Sequence, residues 1–237
     1  MALASGGRTG LGTHADADHA LDGAVPAPVV GSGFLPGSPE ERVADAMLTC
    51  IGRWGLGKTT IEDVAREAGV SRATVYRLFP GGKHAIVRAG LHTEVGRLVA
   101  VLTEDLPRYD DLETCLARAI SLATAFLQEN EALDYLREHE WESVEAFLAF
   151  DRLDTLFLLA GTTLGPSLLR FLPPERATQV AMWCARIVVS HLLYPSDELD
   201  LADPDVARRL VRTSLVPGLE PGAAAAPAPT AADRPAN

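Results

Sequence analysis

The stretch IEDVAREAGVSRATVYRLF, residues 61–79, reads as two short helices joined by a tight turn. Thr60 is placed to cap a helix over 61–68, and Ser71 to cap another over 72–78. Ala65 stands where the first helix must come close to the second, and Gly69 supplies the positive φ that a short inter-helix turn needs. Val64, Ala68, Val70, Val75 and Leu78 fall on the inward side and would fix the angle between the helices. That leaves Arg72, Ala73, Thr74, Tyr76 and Arg77 facing outward. These groups can contact base edges, a thymine methyl or phosphates, so the pair reads as a DNA-binding helix-turn-helix.

Upstream, Ser38-Pro39-Glu40-Glu41 carries an N-cap, a proline at the first helical position and two acids in the first turn. Val43, Met47, Cys50, Ile51 and Trp54 then mark one helical face, and Gly55 to Gly57 ends it. Downstream, Phe79-Pro80-Gly81-Gly82 is a stop, after which a longer helix is expected from Lys83 to about Leu102. Periods of three and four continue, predicting helices near 112–126, 132–139, 142–160, 166–171, 174–194 and 204–214. No run alternates like a strand, so the fold class is all-α: a three-helix helix-turn-helix domain at 39–88 and a larger helical domain at 89–217. The Gly/Ala/Pro/Asp-rich residues 1–38 and the Ala/Pro tract of 218–237 are expected to be disordered.

The net charge of −11 is unequally shared. Residues 40–90 hold eight Lys/Arg against six Asp/Glu, whereas 91–216 hold eleven against twenty-one. Both lysines of the chain, Lys58 and Lys83, fall in the positive segment, as a phosphate-facing end requires. The acidic remainder should stay off DNA and bind something else. The start shows no signal-peptide pattern, and the charge-free stretch 155–169 is shorter than the roughly 20 apolar residues of a membrane span. Cys50, Cys115 and Cys184 are odd in number and lie in apolar helical patterns, which fits reduced core cysteines of a cytoplasmic protein.

Lys58-Thr59-Thr60-Ile61, Asp63-Val64-Ala65, Ala68-Gly69-Val70-Ser71 and Thr74-Val75-Tyr76 with Phe79 are similar to the N-terminal signature of the tetracycline-repressor (TetR) family of bacterial regulators. The resemblance covers about 42–87 and implies a one-component regulator, with a connecting fourth helix and a ligand-binding, dimerising second domain. It implies backbone or base contacts from Thr74 and Tyr76, base contacts from Arg77, and a phosphate contact from a lysine opening the fourth helix. Here Leu78 stands where many members have histidine, and Lys83 comes one residue later than usual. The DNA-facing set is therefore Lys58, Thr59, Thr60, Ser71, Arg72, Ala73, Thr74, Tyr76, Arg77 and Lys83.

A competing motif overlaps this one. Gly52-Arg-Trp-Gly-Leu-Gly57-Lys58-Thr59 fits the nucleotide-binding pattern G-x-x-x-x-G-K-[ST]. That loop needs a strand feeding it, and 41–54 is an amphipathic helical pattern instead. No metalloprotease, nucleophile-elbow or paired-cysteine motif occurs, so neither an enzyme, a cofactor nor a metal is expected. Glu138, Glu140, Glu142 and Glu145 read as a solvated helix face, and a helical scaffold with no DNA role would require the Arg72–Arg77 face to be buried.

Two further surfaces are expected. The 174–194 helix is apolar almost all round, with Val180, Trp183, Cys184, Ile187, Val188 and His191 on one side, so it should join a homodimer with help from 204–214. Such a dimer would bind a near-palindromic double-stranded operator. Phe126, Trp141, Phe147, Phe150, Leu153 and Phe157 exceed what one-sided helix packing uses. With Tyr135, Arg152 and His191 as orienting polar groups, they would line a pocket for a small apolar effector, in line with the ligand cavity that the resemblance implies.

Overall fold

The computed structural model describes residues 34–140, 150–196 and 198–219, and the backbone alone at 150–153 and 155. Most of both compositional tails lies outside the described residues, as do Trp141, Glu142, Glu145 and Phe147 and the side chains of Phe150, Arg152 and Leu153. Nine α-helices are described: α1 Pro39–Trp54, α2 Ile61–Glu67, α3 Arg72–Leu78, α4 Gly82–Asp105, α5 Leu112–Gln128, α6 Glu131–His139, α7 Phe150–Leu168, α8 Pro174–Leu193 and α9 Pro204–Leu210. No strand occurs among the described residues, and no helix there is long and apolar enough to cross a membrane.

The caps read from sequence are in place. Ser38 Oγ accepts the Glu41 amide at 3.2 Å, and Ser71 Oγ accepts that of Thr74 at 3.1 Å. Thr60 and Asp63 satisfy each other's backbone amides in a capping box.

Two cores form. In the first, Met47, Ile51, Val64, Val75 and Ile86 are fully enclosed where α1 to α4 meet, each side chain contributing about 2 kcal/mol by burial. Ala132 of α6 belongs to this core, and Leu136 packs against it. The second core joins the far part of α4 (Leu102) with α5, α7, α8 and α9 through Leu116, Ile120, Leu168, Val180, Val188 and Ala207. Helix α4 thus spans both and is tied to its neighbours at two places. Arg97 in mid-helix bonds Glu41 and Asp45 of α1 at 3.1 and 2.9 Å. Near its C-terminus, Arg170 donates to the carbonyls of Leu106 and Pro107 at 2.8 and 3.0 Å and to that of Tyr109.

Two expectations need correcting. Helix α7 does not stop near residue 160; it runs through Gly161, Gly165 and Pro166 to Leu168. The glycines are close-approach positions: a Cβ on Gly161 would lie 2.6 Å from Met182 Cγ and 3.0 Å from the Thr178 carbonyl oxygen. Packing of α7 along α8, with Leu168 buried, offsets the roughly 3 kcal/mol that an interior proline costs. The second correction concerns α8. Val180, Cys184, Val188 and His191 are buried within their own subunit, so they are not free to meet a partner. Trp183 is 38% exposed and Ile187 only partly covered, and exposed Leu158 lies on α7 and exposed Leu169 just past its end. Helix α9 turns Ala207 inward and leaves Arg208 and Arg209 outside; in the π-helical segment that follows it, Val211 is buried and Arg212 exposed. Among the described residues of α7, α8 and α9, exposed large apolar side chains thus occur on α7 and α8 and none on α9.

Candidate nucleic-acid interface

Helices α2 and α3 are only seven residues each, too short to persist alone. Val64, Ala65, Ala68 and Val75 hold them against α1 and α4, and Gly69 carries the positive φ (66°) of the turn between them. On that support the outward residues of α3 are displayed as expected. Arg72, Ala73 and Arg77 are exposed, Tyr76 is 48% exposed, and Thr74 is half-buried beside Ser71, their hydroxyls 2.9 Å apart. The guanidinium of Arg72 lies 3.6 Å from Glu62 of α2, an exposed pair that a phosphate can replace at little cost. Lys58 and Thr60 are exposed at the start of α2, although the Thr60 hydroxyl is already used by Asp63 at 2.6 Å. These donors hold the Asp63 carboxyl below its ordinary value, the Thr60 hydroxyl foremost.

Thr59 and Lys83 depart from the expected set. Thr59 is 2% exposed and its hydroxyl donates to the Gly55 carbonyl at 2.7 Å, closing the turn between α1 and α2 rather than facing a phosphate. The ammonium of Lys83 is half-buried and donates to the Leu56 carbonyl. Burial lowers its pKa, opposed by the charge of Glu140. Each residue turns a helix by about 100°, so a lysine displaced by one position faces a different neighbour.

The glycine-rich segment 52–59 forms the end of α1 and the turn to α2, not a loop behind a strand. It does hold an anion, but the chain's own. The Glu140 carboxylate accepts from the amides of Leu56 at 3.0 Å and Gly57 at 3.1 and 3.2 Å. Glu140 is therefore not the solvated acid expected. Its signal was present in Gly52, Gly55 and Gly57, whose spacing marks close approach as well as a helix stop.

Of the expected pocket residues, Phe157 is buried with the Arg186 guanidinium 4.4 Å from its ring centre, His191 is buried on α8, and Phe126 is half-buried on α5. Tyr135 sits elsewhere. It packs against Gly55 at the α1–α6 contact and stacks on His139 at 4.5 Å, because α6 turns toward the first core. An open recess of about 830 Å³ lies along α8, lined by residues including Thr178, Met182, Trp183 and Arg186. The three cysteines are free and buried, and burial pushes the Cys184 thiol up to about 12. Among the described residues, no cluster of His, Cys, Asp and Glu could hold a metal ion.

Residues 44–89 match the family described as bacterial regulatory proteins, tetR family. An uncharacterized HTH-type transcriptional regulator of Mycobacterium bovis is 33% identical over 82 residues, and one of Mycobacterium tuberculosis 32%. These matches take in 35% of this chain and 41% of each relative's length. Two solved structures share the fold over most of their length. The TetR family repressor AlkX from a Dietzia species, implicated in biodegradation of n-alkanes, is 22% identical with a TM-score of 0.57, over 74% of this chain and 92% of that one. The fatty acid degradation regulator FadR from Bacillus halodurans is 19% identical with a TM-score of 0.52, over 76% and 97%. Residues 44–89 thus carry the helix-turn-helix segment of the tetR family of bacterial regulatory proteins, and the rest of the described chain shares its fold with the two solved regulators.

Proposed function

We propose that the chain is a dimeric repressor whose affinity for a near-palindromic operator is set by a small, largely apolar effector. The observation that carries the DNA reading is the outward face of α3, with Arg72, Tyr76 and Arg77 open to solvent on a helix whose other face is buried. Arg77 would read a base edge in the major groove. Lys58, Thr60, Ser71, Arg72, Ala73, Thr74 and Tyr76 would set the register on phosphates and thymine methyls. The exposure of this face disfavours a scaffold with no DNA role.

Dimerisation through α7 and α8 is supported by Leu158 on α7, Leu169 just past its end and Trp183 on α8, large apolar side chains that a monomer would leave in water. Two recognition helices related by a two-fold axis would then meet major grooves about 34–36 Å apart or at a multiple of that spacing. An apolar effector within α5, α7 and α8 is supported by the buried Phe157, the half-buried Phe126 and the buried polar side chain of His191. The effector must bind better to a dimer whose recognition helices are wrongly spaced than to the DNA-competent one. Selection of duplexes from a random-sequence library by the full chain tests this reading. Enrichment of a site with two inverted half-sites supports it, and failure to enrich any sequence overturns it.

A further inference from the structure

Helix α4 is not the only link between the second domain and the helix-turn-helix. Helix α6 lies against the end of α1, with Ala132 in the first core. The fit is close: a Cβ on Gly52 would lie 2.9 Å from Glu131 Cβ, and one on Gly55 would lie 2.6 Å from Tyr135 Cε1. At the C-terminal end of α6, Glu140 takes the amides of Leu56 and Gly57. From the other side, Lys83 of α4 takes the Leu56 carbonyl. One peptide segment, Gly55–Gly57, is thus gripped by a carboxylate on its N–H side and an ammonium on its C=O side. Thr59 locks the same segment through the Gly55 carbonyl, and the next residue is the Thr60 cap of α2. A shift of the end of α6 cannot leave the start of α2 in place unless these bonds break.

We propose that Glu140 is a positioning residue for DNA binding, which sets the α1–α2 turn and with it the α2–α3 pair according to where the second domain holds α6. The proposal rests on the DNA-binding reading above and adds the residue through which regulation enters. Glu140 touches no DNA. It acts through the amides of Leu56 and Gly57, and Lys83 serves the same turn. The segment that resembles a nucleotide-binding loop is the docking surface for α6.

The test uses the full-length Glu140→Gln and Lys83→Met variants, the duplex selected by the wild type, and amide hydrogen exchange read at Leu56 and Gly57. Glutamine keeps the shape but loses the charge and half of the acceptor capacity. The Glu140→Gln variant should speed exchange of those two amides and weaken duplex binding roughly tenfold, with helix content and thermal midpoint close to wild type. Lys83→Met should weaken binding in the same direction. The double variant should lose less than the product of the two, because both grip one peptide. Faster exchange with unchanged duplex binding would overturn the proposal, since Glu140 would then be structural alone. Unchanged exchange would overturn it as well, by denying the contact. A wild type that binds no duplex, with exchange still dependent on Glu140, would bring down the DNA-binding reading and this proposal with it.

Discussion

Replacing Gly55 by alanine should destabilise the chain more than the same replacement at Gly69, although both glycines hold positive φ angles, 84° and 66°. At Gly69 an added Cβ would meet nothing within 4 Å. The cost there is the left-handed backbone alone, about 1–2 kcal/mol. Gly55 combines φ 84° with ψ 162°, a region that is essentially glycine's own and costs about 1–3 kcal/mol for other residues. Its Cβ would also fall 2.6 Å from the Tyr135 ring and closer still to the Glu140 carboxylate, so α6 must yield. Overpacking of that kind adds about 1–3 kcal/mol, for a total of about 2–6 kcal/mol. Urea unfolding of the full chain followed by helical circular dichroism, at one fixed protein concentration, gives both values. Equal losses at the two positions would refute the reasoning, because the second-domain contact at Gly55 would then contribute nothing.

Other expected outcomes follow from individual contacts. Trp183→Glu should give a monomer in sedimentation at micromolar concentration; a dimer of unchanged stability would place the subunit interface elsewhere. Gly161→Ala should cost about 1–3 kcal/mol in urea unfolding, since its Cβ has no room beside Met182 and Thr178; a neutral effect would contradict the close α7–α8 crossing. Arg97→Met should loosen α1 from α4 by about 1 kcal/mol, a loss that shrinks at high salt because the side chain is 39% exposed. Asp63 titrates below its ordinary 3.8, so its help to α2 is complete above that value and disappears as pH falls through the lowered one. In a carboxyl-detected titration, Thr60→Ala should move Asp63 back up, and an unmoved Asp63 would deny the capping box.

Local chemistry made the first domain legible. Ser38, Thr60 and Ser71 each marked a helix start that the structure keeps, because a cap is a contact between residues three apart. The inward positions Val64, Ala68 and Val75 were readable for the same reason: two seven-residue helices offer few ways to bury them. Where one residue type serves two ends, the sequence was ambiguous. Gly161 and Gly165 looked like breaks but admit α8, and their meaning depends on a helix far along the chain. The two-sided apolar pattern of α8 correctly required burial on two faces, yet its own subunit supplies much of that cover through α5 and α7. Glu140 lies 84 residues from Leu56, and no local pattern could pair them. Thr59 and Lys58 are adjacent, so one faces in and the other out, and only the turn's geometry decides which.

The central claim, that the outward face of α3 reads DNA, is tested most directly by titrating the selected duplex with wild-type protein and with Arg77→Ala across a series of salt concentrations. Log affinity should fall linearly with log salt for both proteins. Arg77→Ala should bind more weakly by about 1–3 kcal/mol, with relaxed preference at one position in each half-site. An Arg77→Ala protein that binds the duplex as tightly and as selectively as the wild type would contradict it.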